Sequence, residues 1–135
     1  MQLVKISYNM NFTEIVNKQE SKNLAIDFDG VIHKNSKGFY DGTIYDEPIE
    51  GSFEALKKLS QNYNLIIFSA KARNDRPLIN NKTGVELIWE WLEKNNMKQF
   101  ISDIVSEKPR ALYYIDDKAI HFTNWNNILN KLNND

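Results

Sequence analysis

The segment Leu24-Ala25-Ile26-Asp27-Phe28-Asp29-Gly30 constrains this chain more than any other. Three consecutive apolar residues cannot alternate between a wet and a dry face. The run therefore reads as a strand buried on both sides, the habit of a central strand in a parallel sheet. It ends in two carboxylates spaced by two, and then in a glycine. The period of two in a strand aims Asp27 and Asp29 to one side while Phe28 points to the other. Gly30 lets the chain turn sharply just after the pair. Two like charges at one strand end require compensation.

The rest of the chain supplies partners for such a strand. Residues 31–47 place Gly38 and Gly42 among alternating apolar positions (Phe39, Ile44, Tyr45), which suits a hairpin-like flap. Ile49, Phe53, Leu56 and Leu59 recur at helical spacing behind Pro48, predicting a helix over 49–61. Residues 63–68 read as a second buried strand with Ser69 at its end. A polar loop over 71–82 leads into Thr83-Gly84-Val85-Glu86, a capping-box pattern. The helix it opens runs to about residue 95 and buries Val85, Ile88, Trp91 and Leu92. Residues 101–105 and 111–115 read as third and fourth strands, and 119–122 as a short fifth. Trp125, Ile128, Leu129 and Leu132 form the apolar stripe of a closing helix. The first 22 residues are an N-terminal extension, with a short strand over 3–7 and a helical turn over 13–17.

Strands alternating with helices predict an α/β fold: a mainly parallel central sheet with helices on both faces, in three layers. With 135 residues, a single domain over 1–135 is expected, with its core over 23–122 and the closing helix over 123–135. Hydrophobic residues at 41% and charged residues at 26% are ordinary for a globular chain, so neither disorder nor a fibrous repeat is indicated. The net charge of -1 gives no global pull toward nucleic acid or anionic lipid. The absence of cysteine excludes disulfides, zinc thiolates and a thiol nucleophile, and suits a reducing compartment. No apolar run is long enough for a membrane span or signal peptide, so a cytoplasmic location is the expectation.

In parallel α/β sheets, ligands bind beyond the carboxyl ends of the strands, and the chemistry-bearing residues fall there. Asp27 and Asp29 end the first strand, and Asp116 and Asp117 end another. A hard divalent cation answers two acidic clusters, and magnesium characteristically takes one or two carboxylates plus phosphate oxygens and water. Ser69 ends a central strand and offers a hydroxyl. Lys108, just before the strand over 111–115, can steady charge on a carboxylate and on a phosphoryl group.

These four motifs, residues 24–31, 66–69, Lys108 and 114–117, resemble those of the haloacid dehalogenase-like (HAD) hydrolase superfamily, in that order, across residues 23–122. The resemblance implies a Rossmann-like core and a magnesium-dependent phosphatase. In it, Asp27 would be the nucleophile that becomes an aspartyl-phosphate, and Asp29 the acid and base. The cation would lie between Asp27, the backbone carbonyl of Asp29 and Asp116, with Asp117 assisting directly or through water. Lys108 would be catalytic and Ser69, Ala70, Gly30 and Arg73 would bind substrate. The flap and the stretch between the second and third motifs leave no room for a cap domain. Capless members resemble enzymes that act on large, protruding phosphates, such as nucleic-acid ends or phosphoproteins, or that borrow a neighbouring subunit as a lid. The Asp116-Asp117-Lys118 run, with Lys71 and Arg73 after Ser69, is similar to polynucleotide 3'-phosphatase domains.

Plainer readings stand beside these. Each acid pair also suits a turn, the Lys71 to Arg76 stretch suits a solvated loop, and His33 and Tyr40, which could touch substrate from the flap, more simply suit surface or packing roles. His121 reads as structural, and Trp89, Trp91 and Trp125 as core or edge packing. A phosphorelay receiver is a rival class, but its adjacent acids come on the first strand, whereas here they come late. The absence of a Gly-x-x-x-x-Gly-Lys-Ser/Thr run argues against a P-loop kinase. A non-catalytic metal- or phosphate-binding, or regulatory, domain of the same fold is the alternative function. A monomer or small homo-oligomer with a phosphorylated substrate, and no membrane partner, completes the expectation.

Overall fold

A computed structural model describes residues 22–134. The expected strand and turn at residues 3–7 and 13–17 lie outside the described residues. The described chain runs β1 (Asn23–Asp27), α1 (Ser52–Leu59), β2 (Asn64–Phe68), α2 (Gly84–Lys94), β3 (Asp103–Val105), β4 (Tyr113–Ile115) and α3 (Trp125–Asn134), with short 3-10 turns at Ala70–Ala72 and Lys98–Phe100. The four strands form one sheet in the order β3-β2-β1-β4, and every pairing is parallel.

Burial explains the order. Leu24, Ala25 and Ile26 of β1 are all buried, as a strand flanked on both edges and covered on both faces requires. Leu65 and Ile67 of β2 join them. Ile88, Trp91 and Leu92 of α2 form one apolar cluster with Leu56 of α1, Met97, Ile101 and Ile104. Helix α2 starts where its sequence says it should: the Thr83 hydroxyl accepts the Glu86 N–H, and the Glu86 carboxylate accepts the Thr83 N–H, both at 3.1 Å. No described helix is long and apolar enough to cross a membrane.

The sheet changes direction of growth once. From β1 the chain adds β2 and then β3 on one side, and β4 then pairs with the other edge of β1. The crevice between the ends of β1 and β4 is thus the topological switch point, where such sheets bind ligands. The register pairs Ile26 with Ile115, so Asp27 and Asp116 leave the sheet side by side.

Four expectations are corrected. Residues 119–122 form no strand. Residues 31–47 form turns rather than a hairpin, anchored by a bridge between His33 and Pro48 and by Lys34 N–H to Glu47 O (3.0 Å). Helix α1 is shorter than 49–61 because Gly51 takes a left-handed φ of 88° at its N-cap. The closing helix exists, but its stripe is exposed: Trp125 is 70% and Leu129 54% accessible, and none of its residues is buried. Trp125 meets the Phe122 ring and no described core.

Gly84 links fold to site. A Cβ there would run into the backbone carbonyl of Lys71, so the first turn of α2 lies directly against the Ala70–Ala72 turn. Gly84→Ala should push these apart and destabilise the protein by about 1–3 kcal/mol, the usual cost of overpacking. Denaturant melts of the two proteins measure it, and equal midpoints would show that the contact relaxes freely.

Candidate active site

Asp27 leaves β1 with its Oδ1 accepting the Phe28 N–H at 2.8 Å. One oxygen each of Asp27, Asp116 and Asp117 lie within 4.8 Å of one another. Gly30, at a φ of 84°, makes room for this: a Cβ at that position would collide with the Asp117 carboxylate. Gly30 thus serves a close approach as well as a turn. Burial raises the Asp27 carboxyl to about 6; the Phe28 N–H works against that rise, while repulsion from Asp116, Asp117 and Asp29 adds to it. Three carboxylates within one ion's reach, one already reluctant to ionise, are a donor set of the hard oxygen type that magnesium takes.

Asp29 lies outside that trio. Its Oδ1 receives His33 Nδ1 at 2.8 Å, and Lys71 Nζ sits 3.0 Å from Oδ1 and 2.9 Å from Oδ2. Burial opposes ionisation here too, but the hydrogen bonds from His33 and Lys71 outweigh it, and the Asp29 carboxyl is held below its ordinary range. Two carboxylates two residues apart are therefore pushed in opposite directions by their surroundings.

The partners of Asp29 arrive by local geometry. The N–H groups of Val31, Ile32 and His33 all point at the Phe28 carbonyl, a coil tight enough to bring His33 back beside Asp29. Lys71 is turned inward by the 3-10 turn, in which its own N–H is capped by Ser69 Oγ at 3.1 Å. Lys71 is only 5% accessible, so the expectation of a solvated loop over 71–76 fails at this residue. His33 is completely buried, which fits the packing reading and not the surface one. The sequence offers His33 only as a residue that could touch substrate and Lys71 only as part of a basic stretch after Ser69; neither is marked there as a partner of Asp29. A signal existed for His33, four residues past Asp29 across a glycine turn. Lys71 is 42 residues from its partner, and nothing local marks it.

A cleft of about 470 Å³ is lined by Asp27, Asp29, Gly30, Ser69, Ala70, Lys71 and Asp117, with Lys34, Phe39, Arg76 and Lys118 around them. Ser69 is buried there; its oxygen accepts from Lys71, and its hydroxyl proton can serve an incoming acceptor. Two expected residues stand apart. Arg73 is exposed, paired with Asp75 at 2.6 Å, and lines a neighbouring cleft with Phe39 and Arg76. Lys108 is half exposed; its Nζ is 3.6 Å from Asp116 Oδ2 and sits over the Phe68 and Tyr114 rings, next to the acidic trio but off the cleft wall.

The raised Asp27 carboxyl fixes a sign. Its folded-state value lies above the unfolded one, so in chelator its ionisation penalises the fold increasingly as pH rises from about 4 to about 6. Asp27→Asn removes that penalty. The melting temperature of Asp27→Asn minus that of wild type should grow across this window and level off above it. A difference independent of pH would contradict the burial of this group.

No family model, no curated protein and no solved structure matches the chain, so what it does has to follow from the geometry of its own side chains.

Proposed function

We propose that the protein is a capless, magnesium-dependent phosphatase of the HAD-like, Rossmann-type three-layer design, working through an aspartyl-phosphate on Asp27. The observation that carries this reading is the division of labour among four acids in one crevice. Asp27, Asp116 and Asp117 share one ion's space, while Asp29 is held aside by a buried lysine and a buried histidine. A turn-forming acid pair needs none of this.

The residues then divide as follows. An Asp27 oxygen attacks phosphorus as the bond to the leaving oxygen breaks, and Asp29 gives that oxygen its proton. Asp29 next takes a proton from water, whose oxygen attacks the same phosphorus and returns Asp27 to a carboxylate. Lys71 faces the cleft and ion-pairs with Asp29 before substrate arrives. A phosphate dianion beside Lys71 competes for the same ammonium, which lets the Asp29 carboxyl hold the proton it must donate. Ser69 donates its hydroxyl to a phosphoryl oxygen. Asp27, Asp116 and Asp117 would hold magnesium, which when bound would supply charge neutralisation for in-line transfer.

The cleft is open at Phe39 and Arg76, Phe39 being 59% accessible, and among the described residues no insert covers it. That openness favours large, exposed phosphates, with nucleic-acid 3'-phosphate ends as one class. A cytoplasmic setting accords with the cysteine-free composition.

Phosphate release from an aryl phosphate should require added magnesium and stop with a chelator. Asp27→Asn should abolish it, and Asp29→Asn should lower it by about 10²–10⁴-fold. Equal turnover by wild type and Asp27→Asn would remove the mechanism. Magnesium binding without turnover in wild type would favour the non-catalytic domain. Comparing a 3'-phosphorylated oligonucleotide with small sugar phosphates tests the substrate class, and a preference for the sugars would discard it.

A further inference from the structure

His33 is completely buried, yet it is a polar residue in a space that Phe or Leu could fill. Its ring stacks on Phe28 (centroids 5.4 Å apart, planes 14° apart) and meets the edges of Trp91 and Tyr45. Both nitrogens are used. Nε2 accepts the Asp46 N–H at 3.0 Å, which leaves the ring proton on Nδ1, where it is donated to Asp29 Oδ1. Asp46 is itself fixed, since Trp91 Nε1 donates to its carbonyl at 2.9 Å. The chain Trp91, Asp46, His33, Asp29 thus runs from the core helix through the flap to the cleft.

Asp29 has somewhere else to go. It lies two residues from Asp27, close enough for mutual repulsion, and a cation among Asp27, Asp116 and Asp117 would attract a fourth carboxylate. An acid drawn onto the cation would no longer reach the leaving oxygen. The restraint against this comes from two sides: His33 from the flap, and Lys71 from the turn after β2.

We propose that His33 is a positioning residue: its Nδ1–H, opposed by Lys71 Nζ, keeps the Asp29 carboxylate out of the acidic trio and aimed at the leaving-group oxygen. This rests on the phosphatase reading above. Its signature is dependence on the leaving group. Phenoxide needs a proton as its bond to phosphorus breaks, whereas p-nitrophenoxide leaves with far less help, so loss of a well-placed acid penalises the first ester more.

The test compares kcat/KM for phenyl phosphate and p-nitrophenyl phosphate in wild type, His33→Phe and His33→Asn, all as full chains with magnesium. His33→Phe keeps the stacked ring and loses both hydrogen bonds. It should lower kcat/KM by about 10²-fold on phenyl phosphate and by less than about tenfold on p-nitrophenyl phosphate, through kcat rather than KM. His33→Asn, whose amide can donate where Nδ1 does, should recover most of that loss. Magnesium affinity by titration calorimetry should not fall in His33→Phe; a roughly 10–100-fold loss would mean that His33 supports a metal ligand instead, and would overturn the role. Equal losses on the two esters, or none, would overturn it as well. Should His33→Phe not fold, Lys71→Met removes the opposing half of the restraint and is read by the same comparison. A wild type that hydrolyses neither ester sinks the phosphatase reading and this role together, whereas an active wild type with equal losses in the variant sinks only the role.

Discussion

The parallel pairing of β1 with β4 is the constraint on which the site depends. Because Ile26 pairs with Ile115, the next residue on each strand is an aspartate, and the sheet delivers Asp27 and Asp116 to the same crevice. Strand registers are unforgiving, since a slip of one residue sends a whole set of side chains to the opposite face. The three buried residues of β1 hold the register by packing, and the fold thereby forces together charges that would separate if free. The raised Asp27 carboxyl is the electrostatic record of that force.

Next to this repulsive cluster the chain builds an attractive one. A buried ion pair is costly in desolvation and repays it only when every lone pair and proton is used. At Asp29 both oxygens meet Lys71 and one also meets His33, and the imidazole's second nitrogen is occupied by Asp46. The flap has no strands of its own. It is held at its base by the backbone bridge from His33 to Pro48 and by Ile49 N–H to Ile32 O at 2.8 Å; His33 Nε2 also accepts the Asp46 N–H, so the side chain that orients the acid also anchors the flap.

Much of this was legible in the sequence, for definite reasons. The apolar run of β1, the capping box of α2 and the acids at strand ends are local patterns, and locality is what a sequence displays. The closing helix was legible as a helix from its stripe, but Trp125, Leu129 and Leu132 of that stripe stay exposed, and periodicity does not say against what a face packs. The expected fifth strand is absent: residues 119–122 follow the β4 end as coil, although the outer edge of β4 carries no partner among the described strands. The burial of Lys71 against Asp29 was not legible because a lysine in a run of charged residues ordinarily stays in water. Only the close contact between α2 at Gly84 and the Lys71 carbonyl, together with Ser69 capping the turn, points it inward.

The two sides of the crevice are unequally supported. Asp27 stands on the most buried strand of the sheet, whereas Asp116 and Asp117 follow an edge strand whose residues are all exposed, with Tyr113 at 60%. What holds β4 is its ladder to β1 and the Leu112 N–H to Asn23 O at 2.9 Å. Against that acts the repulsion between its terminal acids and Asp27. Lys108, 3.6 Å from Asp116 but half in solvent, offsets little of it. A cation shared across the crevice would cancel the repulsion and tie the edge strand to the core strand. By linkage, the binding free energy of such an ion appears partly as the stability of β4. In the phosphatase reading, the same charges that make the crevice a catalytic site thus make its outer wall depend on being occupied.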